Sequence, residues 1–393
     1  MKLIQEEIRQ DIATRISSIR SHMSRENIEA TLVASNANIY YTTGRFFKGF
    51  VYIPMGSDPI WFIIKPDIFD KEDDVVIIRK PENIPGKLKE LGLELPATIG
   101  LEFDTMSYSD IERLKAVFPD SVPLNASSSL RKARMVKTQW ELDRMKEDGI
   151  HQSEVYRRVT RCYKEDMTDV QFQIEIERIL RLEGCLGFVR TSGNLMDINL
   201  GSVIAGENAD VPSPYDFTMG GSGIDPSLPG GANGTTLKPG QSVMIDMNGS
   251  FNGYQTDMTR VWRLGELPSL AYKAHDCSIN ILRALESIGK PSTPVADLYN
   301  KAMEIAEANG LAEYFMGHRQ HASFIGHGVG IELNEQPVVM AKSRDILLEN
   351  MTIALEPKFV IPEVGAVGVE NTYVVTSTGL KSITIFPEEI QEL

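Results

Sequence analysis

Cysteine is scarce: Cys162, Cys185 and Cys277 are the three in 393 residues. Their odd number, wide spacing and lack of any CxxC pair argue against a disulfide framework and against a thiolate zinc site. They read as small buried hydrophobes. Long apolar runs are missing too. No stretch reaches the roughly 18 to 20 apolar residues that span a bilayer, so no membrane partner is expected. The opening MKLIQEEIRQDIATRISSIR is charged throughout and lacks the uninterrupted apolar core of a secretory signal, so a cytoplasmic location is expected. Positive charge is also short, with 40 Lys and Arg against 54 Asp and Glu and a formal net charge of -14. That balance disfavours nucleic-acid binding, which needs basic patches for phosphates. Bound cations would offset part of it.

What remains is ordinary globular composition, 42% hydrophobic and 24% charged, in a chain long enough for two cores. Residues 5–28 predict an amphipathic helix, with Ile8, Ile12, Ile16, Ile19 and Met23 at helical spacing. Strand-like runs follow at 30–35, 50–54, 59–65, 74–80 and 95–103, with helical patterns between them, as at 109–117. This alternation predicts a first α/β domain over residues 1–130 and a second over 131–393. The second opens with a charged, helix-compatible stretch at 137–164. Another helix starts at Thr168, with Ile174, Ile176, Ile179 and Leu180 to bury. Residues 186–263 are richer in Gly, Asn and Ser and suggest strands and loops. Helices are expected again at 268–289 and 294–309, and strands with tight turns over 322–386.

Chemistry concentrates in the second domain. VMIDM and YQTDMTRVW, joined by NGSFNG, look like a hairpin that could bring Asp246 and Asp257 together. Surface aspartates near hairpins are common, so this pair alone says little. In IGHGVGIELNEQP, glycines flank His327 and let the backbone curve closely around the imidazole; a lone histidine is more often a packed core residue. Glu356 ends the apolar run IALE, and Glu370 lies inside VGVENTYVVT. A buried acid can be satisfied by backbone N–H groups or by an arginine, for which Arg260 is available. Jointly, four carboxylates in apolar strands need compensation, because converging they would repel one another. Two divalent cations would balance four negative charges. Oxygen-rich ligation with one imidazole suits manganese, cobalt, iron or zinc, and paired ions about 3.5 to 4 Å apart form an arrangement for hydrolysis.

The segments IDMNGSFNGYQTDMTR, GHGVGIELNE, ALEP and GVENT resemble, in order, the creatinase/methionine aminopeptidase superfamily, most closely its Xaa-Pro dipeptidase and aminopeptidase P branch. LVASNANIYYTTGRF (32–46) is similar to the N-terminal domain of that branch, and LRKARMVKTQWELDRMK (130–146) to its inter-domain junction. The resemblance implies an α/β (α+β) chain with an RNase H-like creatinase N-terminal domain and a pita-bread catalytic domain. It implies a homodimer acting on short peptides and a dinuclear centre of divalent ions, manganese ahead of cobalt, zinc or iron. Asp246, Asp257, His327, Glu356 and Glu370 would be the ligands, and Glu356 would also serve as general base.

Three positions depart from the family pattern. Ser213, in ADVPSP, and Asn334 stand where its peptidases usually carry substrate-binding histidines, and Gly368 stands where many Xaa-Pro enzymes have arginine. Asparagine donates a hydrogen bond but cannot donate a proton as imidazolium does, and losing such a donor can cost about 2.7 to 4 kcal/mol of barrier. Tyr254, His318 and His321 are possible substitutes, with packing or surface roles equally open. The leading expectation is hydrolysis before proline in short peptides. The alternatives are a metal-dependent hydrolase or lyase of another small substrate, a non-catalytic binding module and a metal-free creatinase-like hydrolase.

Overall fold

The computed structural model describes residues 2–66, 75–193, 197–215 and 219–393. The chain divides into two compact units, Met1–Arg134 and Met135–Leu393.

The first unit carries helices α1 (Lys2–Arg25), α2 (Asn36–Thr43), α3 (Ile84–Glu90), α4 (Tyr108–Val117) and α5 (Ser127–Met135). Its strands are β1 (Ala30–Val33), β2 (Lys48–Pro54), β3 (Ile60–Lys65), β4 (Val75–Ile77), β5 (Thr98–Leu101) and β6 (Val122–Asn125). They form one mixed sheet in the order β4-β3-β2-β1-β5-β6. Each strand-like run of the sequence yields a strand, although Asp74, the start of the fourth run, lies outside the described residues. Leu32, Phe62, Ile99, Leu101, Leu114 and Phe118 are buried in one cluster. Along α1, Ile8, Ile16, Ile19 and Met23 are buried as their spacing predicts, while Ile12 is half-buried.

The second unit adds α6 (Gln139–Tyr156), α7 (Asp169–Glu183), α8 (Ser269–Ile288) and α9 (Val295–Ala308). The strands β7 (Gly201–Ala205), β8 (Ser242–Gly249), β9 (Thr256–Arg263) and β17 (Gln391–Glu392) make one sheet in the order β17-β9-β8-β7. A five-stranded sheet runs β11-β10-β12-β15-β16, from β10 (Phe324–Gly328), β11 (Glu335–Met340), β12 (Thr352–Leu355), β15 (Asn371–Thr376) and β16 (Gly379–Ser382). β13 (Lys358–Ile361) and β14 (Gly365–Gly368) pair with each other. Residues of α6 and α7 pack on the first sheet through Tyr156, Phe172, Ile176, Val243, Met258 and Trp262. Residues of α8 and α9 share a second core with the other strands, through Ile281, Leu285, Leu298, Ile353 and Val367. Among the described residues no helix is long and apolar enough to cross a membrane.

Helix starts follow local chemistry. Thr138 and Thr168 each accept a bond from a backbone N–H three residues on, and Glu141 and Gln171 return the bond. Such reciprocal caps satisfy donors that a helix end leaves open. Three expectations need correction. The helix foreseen over 137–164 ends at Tyr156 and gives way to a short 3-10 turn at Val159–Cys162. Ile174 is 56% exposed, because Phe172, Ile176, Ile179 and Leu180 define the buried stripe and Ile174 lies about 200° around the helix from Ile176. Cys162 is half-buried, whereas Cys185 and Cys277 are buried, and all three are free thiols.

Candidate metal centre

The β8–β9 hairpin forms as its sequence predicts, antiparallel with Asp246 opposite Thr259 and Asn248 opposite Asp257. Directly opposed residues share a face, as do residues two apart on one strand. Asp246 and Asp257 therefore lie diagonally on the same face. His327 comes from β10, where register shifts on both sides of it mark a bulge against β11; bulges re-aim single side chains. The flanking glycines are required there: a Cβ on Gly326 would come 2.1 Å from the Ala354 carbonyl oxygen, and one on Gly328 2.1 Å from that of Gln336. Glu356 follows the last residue of β12, and Glu370 sits between β14 and β15.

Hydrogen bonds lock these pieces together. The Asp257 N–H donates to Thr372 Oγ1 at 2.8 Å, the Glu370 N–H to the Thr259 carbonyl at 3.2 Å, and the Glu356 N–H to the Ile325 carbonyl at 2.9 Å. The Thr259 hydroxyl donates to Glu370 Oε2 at 2.7 Å. The five sequence-predicted donors are thereby brought together as two triads sharing Glu370, namely Asp257–His327–Glu370 and Asp246–Glu356–Glu370. His327 Nε2 lies 3.8 Å from both Asp257 Oδ2 and Glu356 Oε1, and its Nδ1 is 3.1 Å from the Gly328 carbonyl oxygen. A proton on Nδ1, donated to that carbonyl, leaves the Nε2 lone pair facing the acids.

The residues present suit a divalent cation. Asp257 Oδ1 and Glu370 Oε1 are buried with no hydrogen-bond partner, a costly state for carboxylates unless a cation meets them. Burial pushes the Asp257 carboxyl well above the ordinary carboxylate range, with repulsion from Glu370, Asp246 and Glu356 adding to it and Lys358 opposing. Glu370 is pushed up to about 8, first by burial and then by Glu356, with Lys358 pulling the other way. A cation among these groups would reverse both effects.

One further residue belongs to the site beyond the five sequence-predicted donors. Lys358 is buried, and its Nζ donates to Glu356 Oε2 at 2.8 Å, Asp246 Oδ2 at 2.9 Å and Glu370 Oε2 at 3.0 Å. Burial alone would lower its pKa, but Asp246, Glu356 and Glu370 outweigh burial and hold the ammonium well above its ordinary range. The available signal was a lysine two residues after Glu356 in an apolar run, on the same side of an extended chain. Arg260, suggested by the sequence as a carboxylate partner, plays another part. Its guanidinium donates to main-chain carbonyls, including those of Thr259, Glu370 and Phe386, and to Asn371 Oδ1. It buttresses the strands beneath the acids.

Three of the acids open onto a cavity of about 590 Å³, whose lining includes Asp246, Asp257, Glu356, His327 and Asn334. The Asn334 side chain accepts from the Ser192 N–H at 2.7 Å and donates to the Ser192 carbonyl at 2.8 Å. Ser213 lines a smaller cavity of about 120 Å³ that also includes His321, and its hydroxyl donates to the Pro229 carbonyl at 2.9 Å. His318 is bonded to Asp210 at 2.9 Å and His321 to the Phe315 carbonyl at 2.8 Å. Tyr254 is buried, and its hydroxyl donates to Glu141 at 3.0 Å, a packing role.

Fold and donor set together define a metallopeptidase architecture. The chain belongs to Metallopeptidase family M24, whose family model matches residues 143–377, and residues 15–136 match the Creatinase/Prolidase N-terminal domain. The sequence is 25% identical over 382 residues to a Xaa-Pro dipeptidase of Pyrococcus furiosus, covering 96% of this chain and 99% of that relative. It is also 25% identical over 389 residues to the uncharacterized peptidase YqhT of Bacillus subtilis, with 96% and 99% covered. Among solved structures, a Xaa-Pro dipeptidase from Bacillus anthracis superposes with a TM-score of 0.79 at 22% identity, over 97% of this chain and 100% of that one. The prolidase from Pyrococcus horikoshii superposes with a TM-score of 0.76 at 21% identity, over 96% and 99%.

Proposed function

We propose that this chain is a metal-dependent peptidase that hydrolyses the Xaa-Pro bond of short peptides, as a dipeptidase or an aminopeptidase. The observation that carries the reading is the convergence of four carboxylates and His327, of which Asp246, Asp257, Glu356 and His327 line one cavity, with Asp257 Oδ1 and Glu370 Oε1 left without a hydrogen-bond partner. Asp246, Asp257, His327, Glu356 and Glu370 would hold two divalent metal ions. Bound there, the metal supplies Lewis acidity and makes a water nucleophilic near neutral pH.

The chain's own groups do the rest. Glu356 is the general base: Lys358 holds its Oε2, its Oε1 lies 3.8 Å from His327 Nε2, and the carboxylate takes a proton and later returns it to the leaving amine. Thr259 orients Glu370. Asn334 offers an amide at the cavity wall for substrate contact, and Ser213 belongs to the adjoining cavity. The metal is manganese in the first instance, with cobalt, zinc or iron next, and the chain works as a cytoplasmic homodimer. Family membership supports these finer points.

A second reading, hydrolysis or elimination on another small substrate, is favoured by one observation. The Asn334 amide is engaged by the Ser192 main chain and Ser213 lies outside the main cavity lining, so neither position offers a protonated imidazole. A panel of Xaa-Pro dipeptides, Xaa-Pro tripeptides and non-proline controls tests the two readings. Cleavage confined to proline peptides supports the first; preferential cleavage of non-proline amides contradicts it.

A further inference from the structure

The two acidic triads are not equivalent. In Asp246–Glu356–Glu370, one oxygen of each carboxylate stands 2.8 to 3.0 Å from Lys358 Nζ. An ammonium has three donors, and three charged acceptors surround this one. The lysine side chain is 0% exposed, so it reaches the acids from within the protein. In Asp257–His327–Glu370, by contrast, Asp257 Oδ1 and Glu370 Oε1 have no hydrogen-bond partner although their residues are only 5% and 1% exposed.

We propose that Lys358 is a built-in cation standing in for one of two divalent ions, so that the centre holds a single ion at Asp257, His327 and Glu370. This rests on the metallopeptidase reading and changes its ion count. A divalent ion binds carboxylate oxygen at about 2.0 to 2.2 Å. A second ion drawing on Asp246, Glu356 and Glu370 would compete for the lone pairs that Lys358 occupies and would face a fixed positive charge in a buried site.

Gly368 belongs to the same device. It lies opposite Lys358 in the β13–β14 pair, at a φ of +139°, and a Cβ there would come 2.9 Å from Lys358 Cα and 2.8 Å from the Pro357 carbonyl oxygen. The absence of a side chain at 368 is what lets the strand carrying Lys358 lie this close.

The test counts ions. Full-length protein stripped with chelator is dialysed against increasing Mn(II), and bound metal per chain is measured with the electron paramagnetic resonance spectrum of the loaded form. Wild type should saturate at one ion per chain and show the hyperfine pattern of an isolated Mn(II) ion. Lys358→Met, which keeps the length and removes the charge, should saturate at two with an exchange-coupled spectrum. Lys358→Gln serves if the Met variant does not fold. His327→Ala should abolish or at least tenfold weaken the wild-type ion, and Asp246→Asn should leave the count at one. Two coupled ions in wild type would overturn the inference while leaving the metallopeptidase reading intact. A single ion lost in Asp246→Asn but retained in His327→Ala would overturn the assignment of its position. No bound ion at millimolar Mn(II) would overturn the metallopeptidase reading itself.

Discussion

Arg260 Nη1 donates to the main-chain carbonyl of Glu370 at 2.7 Å, placing a fully buried guanidinium directly behind one of the acids. The same group bonds Thr259, Phe386 and Asn371. Hydrogen bonds to charged groups contribute about 1.5 to 3 kcal/mol each, and orphaned buried carbonyls add a desolvation cost. Arg260→Met should lower unfolding free energy by at least about 3 kcal/mol, measured by urea denaturation, and should weaken metal affinity because the Glu370 backbone loses its anchor. A loss below about 1 kcal/mol would show that the clamp is incidental.

Glu356→Gln keeps shape and removes the base. Turnover should fall by at least about 10²-fold with an unchanged circular dichroism spectrum. Steady-state kinetics at saturating substrate is the check, and undiminished kcat contradicts the assigned role.

Metal binding should couple to folding. An ion that binds the native site alone adds about 2.7 kcal/mol at a hundred times its Kd. Chelator should therefore lower the melting temperature by several degrees and Mn(II) should restore it, read by differential scanning calorimetry. In the His327→Ala variant the same Mn(II) concentration should give a much smaller shift.

Asp148, on α6 and fully buried, makes a separate prediction. Burial pushes its carboxyl up to about 8, with the Phe251 main chain pulling the other way. The unfolded group ionises near its ordinary value of about 3.9. Between those values the native state retains a proton that the unfolded state has lost, so stability falls as pH rises from about 4 to about 8 and stays lower above that. Asp148→Asn should gain on the order of a few kcal/mol over wild type at pH 9 and nothing at pH 3. An equal difference at both pH values would contradict the assignment.

The sequence carried the local signals well where one periodicity dominated. The capped start at Thr168, the β8–β9 hairpin and the apolar strands of both units follow from spacing and turn residues. Helix α2 carries little periodic signal, because NANIYYTT is short and rich in aromatic and β-branched residues; the available cue is its end at Gly44, at a φ of +66°. Ile174 shows that an apolar residue on an amphipathic helix can still face away from the stripe. At the site, the four acids stand out as charges in apolar runs and His327 by its flanking glycines, but convergence depends on pairings between distant strands. The compensating charges could not be apportioned that way. Arg260, adjacent to Thr259, suggested an ion pair and instead braces carbonyls, whereas Lys358 passed as an unremarkable lysine after a proline.

Metal-dependent hydrolysis of a Xaa-Pro bond is the central claim, and one comparison tests it most directly. Chelator-stripped protein and the same protein reloaded with Mn(II) are given a Xaa-Pro dipeptide and its non-proline counterpart, and released amino acid is quantified. The account predicts release from the proline dipeptide by the reloaded protein and little from the stripped one. Equal release by both, or Mn(II)-dependent release from the non-proline dipeptide alone, would contradict it.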